Sequence, residues 1–189
     1  MTILDESIWK ELTSTQIYDG PILYNAVLEM KAKSVLELGT GWYHSATFFL
    51  SALAQTDGKM VTVDIGRHNG VYGKVKEYWE KFSIQGERLK ERYAEGGDLN
   101  YDPSKEDFIT FPVDILFIDT SHAYQHTLEE LRKFVPYVSS IGRVYFHDVN
   151  ACVEVEQAAK EFIKEDTSWI YSNITDKRSQ YGIGVLIRK

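Results

Sequence analysis

Four short apolar runs in this chain each carry an acid at or beside their last residue: SVLEL at 34–38, MVTVD at 60–64, VDILFID at 113–119 and GRVYFHD at 142–148. Runs of this length, rich in β-branched residues, are buried strands. Between them the apolar residues fall at helical spacing. Ser45 is placed to cap a helix through Phe48, Phe49 and Leu53, and Tyr72–Ser83 is amphipathic. Leu128, Leu131 and Phe134 share one face of a stretch at 123–137, and Val155, Ala158 and Phe162 share one at 152–165. Strand–helix alternation of this kind dictates a parallel sheet covered by helices on both faces. A charged, marginal strand at 88–95 belongs at an edge. The tail adds strands at 168–173 and 181–188 with no helix between them, so that pair runs antiparallel. The expectation is an α/β chain in three αβα layers, with a mostly parallel seven-stranded sheet and a reversed final strand.

The chain has 189 residues, which suits one domain. Residues 34–189 form the core, and the helical stretch 1–31, with a break or a new helix start at Asp19-Gly20-Pro21, is a cap or lid. The net charge of −7 comes with no basic cluster, so no nucleic-acid partner is expected. Cys152 is the one cysteine, which excludes a disulfide within the chain and fits a reducing compartment. The polar start, MTILDESIWKELT, is no signal peptide, and no apolar run is long enough to span a bilayer. A cytoplasmic protein without a membrane partner is the expectation.

In open α/β sheets ligands sit beyond the carboxyl ends of the strands. Glu37, Asp64, Asp119, His147 and Asp148 all fall there. Gly39 and Gly41 sit between the first strand and its helix, where glycine lets backbone approach a ligand. A phosphate is a poor ligand for this turn. Glu37 would repel it, the third glycine of G-x-G-x-x-G is replaced by His44, and no Gly-Lys-Ser/Thr motif occurs. An acid here suits a cationic or amine-bearing ligand; alternatively, Glu37 and the glycines serve the turn alone.

The stretch SVLELGTGWYHS resembles the first motif of class I S-adenosylmethionine-dependent methyltransferases. The resemblance implies a Rossmann-like fold. It also implies that Glu37, Gly39, Thr40, Gly41 and Ser45 hold the methionine portion of S-adenosyl-L-methionine and that Asp64 bonds the ribose. Asp98, after Gly97, would meet the adenine, and Asp119 would complete the cofactor set. YGIGVLIRK at 181–189 resembles the closing strand, so the likeness spans 34–189. One position departs from the pattern: Tyr43 stands where the third glycine of the motif belongs, and its ring would shift the helix start or cover the cofactor.

DTSHAY at 119–124 and HD at 147–148 resemble small methyltransferases with a D-x-x-H-x-Y stretch, related to metal-dependent sugar and catechol O-methyltransferases. That likeness makes Asp119, His147 and Asp148 candidate metal ligands and His122 a general base beside Asp119. His147 stands where the sugar enzymes have an acid, and Val149 where the catechol enzymes have Asn. Magnesium favours an all-oxygen shell, whereas manganese accepts a histidine; alternatively, His147 bonds a carboxylate and no metal binds. His126 is expected on the surface. Trp42 and Tyr43 are the leading aromatic candidates for an acceptor pocket. The expected activity is O-methylation of a small molecule. The alternatives are a non-catalytic S-adenosylmethionine-binding protein and a nicotinamide-dependent oxidoreductase. The N-terminal helices offer a lid or a homodimer face.

Overall fold

The computed structural model of the protein describes residues 16–66, 73–81, 83–84 and 86–189. The expected helix over 1–15, and Tyr72, lie outside the described residues. The elements in chain order are α1 (Gln16–Met30), β1 (Ser34–Leu38), α2 (His44–Thr56), β2 (Lys59–Asp64), α3 (Gly73–Lys81) and β3 (Leu89–Tyr93). They continue with β4 (Val113–Ile118), α4 (Tyr124–Phe134), β5 (Val138–Phe146), α5 (Val153–Glu165), β6 (Trp169–Asn173) and β7 (Gly184–Arg188). All seven strands expected from the sequence are present.

They form one seven-stranded sheet in the order β3-β2-β1-β4-β5-β7-β6. β1 to β5 pair in parallel, and β7 runs antiparallel to both β5 and β6. The fold is therefore the Rossmann-like three-layer sandwich with the reversed final strand. Successive side chains of a strand point to opposite faces, so a sheet covered on both sides needs both sets apolar. β1 obeys this, with all five residues buried. Val35 packs with Met60, Phe117, Phe48 and Phe49 on one face. Leu36 and Leu38 pack with Leu116, Leu131, Phe134 and Ala158 on the other. Each large side chain so buried contributes about 1.5–3 kcal/mol.

The register sets the functional end. Leu38 pairs with Val63 and with Ile118, and Ile118 pairs with Phe146. The next residues, Gly39, Asp64, Asp119 and His147, therefore form one row across four strands. β5 ends at Phe146, two residues earlier than the sequence pattern suggests. His147 and Asp148 consequently lie in the turn, and Asp148 takes a left-handed φ of 62°.

The expected break at Asp19-Gly20-Pro21 does not occur: α1 runs through Pro21. Packing explains why. Gly20 lies so close to Phe48 of α2 that an added Cβ would come within 2.0 Å of the ring. The close approach to α2 holds the helix despite the backbone hydrogen bond that Pro21 lacks. Among the described residues, no helix is long and apolar enough to cross a membrane.

Candidate active site

A cavity of about 420 Å³ opens beyond the carboxyl ends of β1, β2 and β4, where the strand order reverses. Gly39, Gly41, Asp64, Asp98 and Asp119 line it, so five of the expected cofactor residues meet there. Gly39, at φ 92°, lies against β4: an added Cβ would stand 1.9 Å from the Asp119 carbonyl oxygen. Its glycine is a packing requirement. Gly41 and Gly97 have positive φ and open space where a Cβ would project. These two therefore leave backbone open to close approach by a ligand. Asp64 ties the loop down: its Oδ2 accepts the N–H groups of Thr40 at 2.9 Å and Gly41 at 3.3 Å.

Glu37, Thr40 and Ser45 lie beneath this surface, buried. The Ser45 hydroxyl donates to Glu37 Oε1 at 2.5 Å, and the Thr40 and Thr62 hydroxyls pair at 2.8 Å. Burial pushes the Glu37 carboxyl up to about 8, against the hydroxyls of Ser45 and Thr62. Near neutral pH Glu37 is thus mostly a neutral support for the loop. Ser45 is not the helix cap; α2 starts at His44, and Tyr43 occupies the cap position.

Tyr43 has the left-handed backbone, φ 62°, of the glycine it replaces. Its side chain turns away from the cavity and is buried. The ring meets Trp79 edge-on at 6.1 Å, and the hydroxyl donates to Glu91 Oε1 at 2.6 Å. The helix start is kept and the cavity is not covered. Trp42 is 75 % exposed beside Gly41, which leaves it, and not Tyr43, available to an acceptor.

Next to the cavity lies a second cluster. His122 Nε2 stands 2.9 Å from Asp148 Oδ2 and 3.3 Å from Asp119 Oδ1. His147 Nδ1 is 3.0 Å from Asp148 Oδ2, and its Nε2 is 3.3 Å from Asp19 Oδ2 on α1. Asp119 and Asp148 raise His122 to about 10 despite partial burial. Burial works against a charge on His147, but Asp119, Asp148 and Asp19 overcome it and push the ring up to about 12. Burial likewise opposes the charge on Asp119 and Asp148, yet the two histidines hold both below the usual carboxylate range. His122 shares the left-handed conformation of Asp148, with φ 58°. Backbone strain of this kind concentrates at functional sites.

These facts bear on the metal that the sequence likeness implies. Both ring nitrogens of His147 are engaged by carboxylates, Nδ1 by Asp148 and Nε2 by Asp19. Val149, at the Asn position, is buried in the core. The two imidazolium groups already balance Asp119 and Asp148. In this cluster the ligand atoms that converge within 4.8 Å belong to Asp119, His122 and Asp148, with His147 turned to Asp19 and Asp148 instead of completing the expected set.

A third group was not anticipated. His126 is half-buried and engaged, not a free surface residue: Nε2 lies 2.9 Å from Asp98 Oδ1 and 3.7 Å from Glu130 Oε1. Thr120 donates to Glu130 Oε1 at 2.8 Å. Burial, and the neighbouring Asp98, push Glu130 up to about 9. The available signal was the i,i+4 spacing of His126 and Glu130, which puts them on one helix face. Nothing in the sequence showed that the loop carrying Asp98 folds against that face.

The fold is similar to that of solved methyltransferases. The O-methyltransferase of tomaymycin synthesis from Streptomyces achromogenes, in complex with S-adenosylmethionine, is 16% identical with a TM-score of 0.69, covering 90% of this chain and 79% of that one. An O-methyltransferase from Bacillus cereus in complex with S-adenosylhomocysteine is 15% identical with a TM-score of 0.68, covering 90% and 80%. A methyltransferase from Podospora anserina bound to S-adenosylhomocysteine is 16% identical with a TM-score of 0.67, covering 94% and 80%. No curated protein sequence matches the chain. The family model described as a methyltransferase domain matches residues 36–149, the stretch from β1 through the His147–Asp148 turn, and the chain belongs to that methyltransferase family.

Proposed function

We propose that this chain, acting as one unit over residues 1–189, transfers a methyl group from S-adenosylmethionine to an oxygen of a small-molecule acceptor. The observation that carries the proposal is the single cavity bounded by the Gly39–Gly41 loop, Asp64, Gly97-Asp98 and Asp119. The structural neighbours that bind S-adenosylmethionine or its product share this fold. The open backbone at Gly41 and Gly97 fits a ligand held close, and Asp64 and Asp98 offer carboxylates to hydroxyl and amino groups. When bound, S-adenosylmethionine supplies a methyl group made electrophilic by its sulfonium. The residues must then align the acceptor oxygen and remove its proton.

His122 takes that proton. On its own the cluster holds His122 as an imidazolium, and the base form appears as pH rises toward about 10. A positive charge beside Asp119 weakens that hold and brings the base form to lower pH. Asp148 and Asp119 keep the ring oriented. No step is assigned to a metal at this cluster.

Titration calorimetry with S-adenosylmethionine and S-adenosylhomocysteine tests the cofactor half. Both should bind, and Asp64→Ala should weaken binding at least tenfold. His122→Ala should keep cofactor affinity and lose turnover on hydroxyl acceptors. Failure of both ligands to bind refutes the reading. Binding without turnover over a broad acceptor panel would favour the non-catalytic alternative.

A further inference from the structure

The Asp98–His126–Glu130 group differs from the Asp119–His122–Asp148 cluster in one respect that decides its chemistry. In the latter, two histidines serve the carboxylates. In the former, Asp98 Oδ2 and Glu130 Oε2 are buried and accept from no donor group among the described residues, and the two carboxyls lie within hydrogen-bond range of each other. Asp98 is 6% exposed and Glu130 0%. His126 is the one basic side chain in ion-pair range of either, among the described residues. Buried carboxylate oxygens without donors are costly, and they call for a proton shared between them or a cation.

The spacing suits a cation. One ligand atom from each of the three residues can be chosen so that all lie within 4.8 Å of one another. Two ligands each about 2.0–2.1 Å from a tetrahedral zinc lie roughly 3.3 Å apart. From His126 Nε2 it is 2.9 Å to Asp98 Oδ1, where the two now hydrogen-bond, and 3.7 Å to Glu130 Oε1; these bracket that value, and the unpartnered Oδ2 and Oε2 are the other oxygens of the same carboxyls. Thr120 already orients Glu130 from outside the group, as an outer partner of a ligating carboxylate would. Asp98 and His126 line the cavity, which gives an entry path and room for a fourth, exchangeable ligand.

We infer that Asp98, His126 and Glu130 form a binding site for a zinc-class dication in the cavity wall. The imidazole selects against magnesium and calcium. If the cofactor reading above holds, the cation occupies carboxylate oxygens that the adenine end would otherwise meet. It then opposes cofactor binding.

Cobalt(II) is a suitable probe because its visible spectrum reports tetrahedral nitrogen–oxygen ligation. The 189-residue chain should give that spectrum at one equivalent, and zinc should displace it. His126→Gln and the near-isosteric Glu130→Gln should each weaken cobalt binding at least tenfold, with folding checked by circular dichroism. His122→Gln should leave cobalt binding within twofold. No tetrahedral spectrum in the wild type overturns the site. So does retention of the spectrum in Glu130→Gln, or its loss only in His122→Gln. As a second readout, zinc should weaken S-adenosylhomocysteine binding at least tenfold in the wild type and less than twofold in His126→Gln. Cobalt binding without any S-adenosylhomocysteine binding would uphold the metal site while refuting the cofactor reading.

Discussion

Replacing Tyr43 with glycine restores the residue that the glycine-rich motif favours, and it should nevertheless harm the protein. Tyr43→Gly relieves a left-handed backbone, worth about 1–2 kcal/mol for a residue with a Cβ. Glycine's greater freedom in the unfolded chain gives back about 0.5–1 kcal/mol of that. Against this stands the loss of a ring that is 2% exposed and packed on Trp79. Removing a buried aromatic costs about 3–5 kcal/mol, and losing the hydroxyl bond to Glu91 adds about 1 kcal/mol. The net destabilisation is about 4 kcal/mol. At 2–4 °C per kcal/mol for a domain of this size, the melting temperature falls by roughly 10 °C. Tyr43→Phe keeps the ring and should lose only about 1 kcal/mol. Scanning calorimetry measures both shifts. S-adenosylhomocysteine affinity should stay within twofold in each variant, because the side chain faces the core. A rise in melting temperature for Tyr43→Gly would refute the packing argument. A tenfold gain in affinity would show that the ring covers the cavity after all.

Two further predictions follow from the same loop. Glu37 is held protonated to about 8, so between its unfolded value of 4.5 and that point the folded state binds the extra proton. Stability therefore falls as pH rises through this window; Glu37→Gln should flatten the decline in melting temperature between pH 5 and pH 9, and an unchanged slope would remove Glu37 as its source. Gly39→Ala should prevent folding or leave an aggregated product, because its Cβ would meet the Asp119 carbonyl at 1.9 Å, whereas Gly41→Ala, with open space around it, should lose only about 1 kcal/mol for its positive φ. Equal losses for the two variants, read by denaturant titration, would contradict the distinction between a packing glycine and a cavity glycine.

The strands were legible because burial on both faces forces short β-branched runs, and the strand tips were legible because polar groups recur where those runs stop. Asp64 and Asp119 meet at one cavity for that reason, whereas Asp98, five residues beyond the end of β3, was reached through the family resemblance alone. Depth was not legible. Glu37 precedes the glycines as a ligand-binding acid would, yet it lies under the loop bonded to Ser45. A β-strand places alternate residues on opposite faces, but how far a side chain sits from solvent depends on the helix laid over it. The charge state of His122 was equally hidden. An isolated histidine titrates near 6.5, and only Asp119, three residues away, together with Asp148 from the turn after β5 moves it to about 10. His126 was misread as a surface residue because its partner Asp98 comes from another element, 28 positions away.

The helix α1 has a consequence for where the working molecule begins. By sequence pattern the Rossmann-like core starts at residue 34, and a truncation there looks harmless. Yet Asp19 on α1 accepts from the Ser179 hydroxyl at 2.7 Å and lies 3.3 Å from His147 Nε2. One buried carboxylate thus joins the first described helix, the turn after β5 and the loop before β7. Cutting at residue 34 would take one of three counter-charges from the His147 ring and uncover the face of α2 that Gly20 and Leu23 shield. The smallest fragment that keeps the site's charge balance is therefore longer at its amino end than the repeating strand–helix units alone would indicate, and domain-swapping or fusion designs should place their junction ahead of α1.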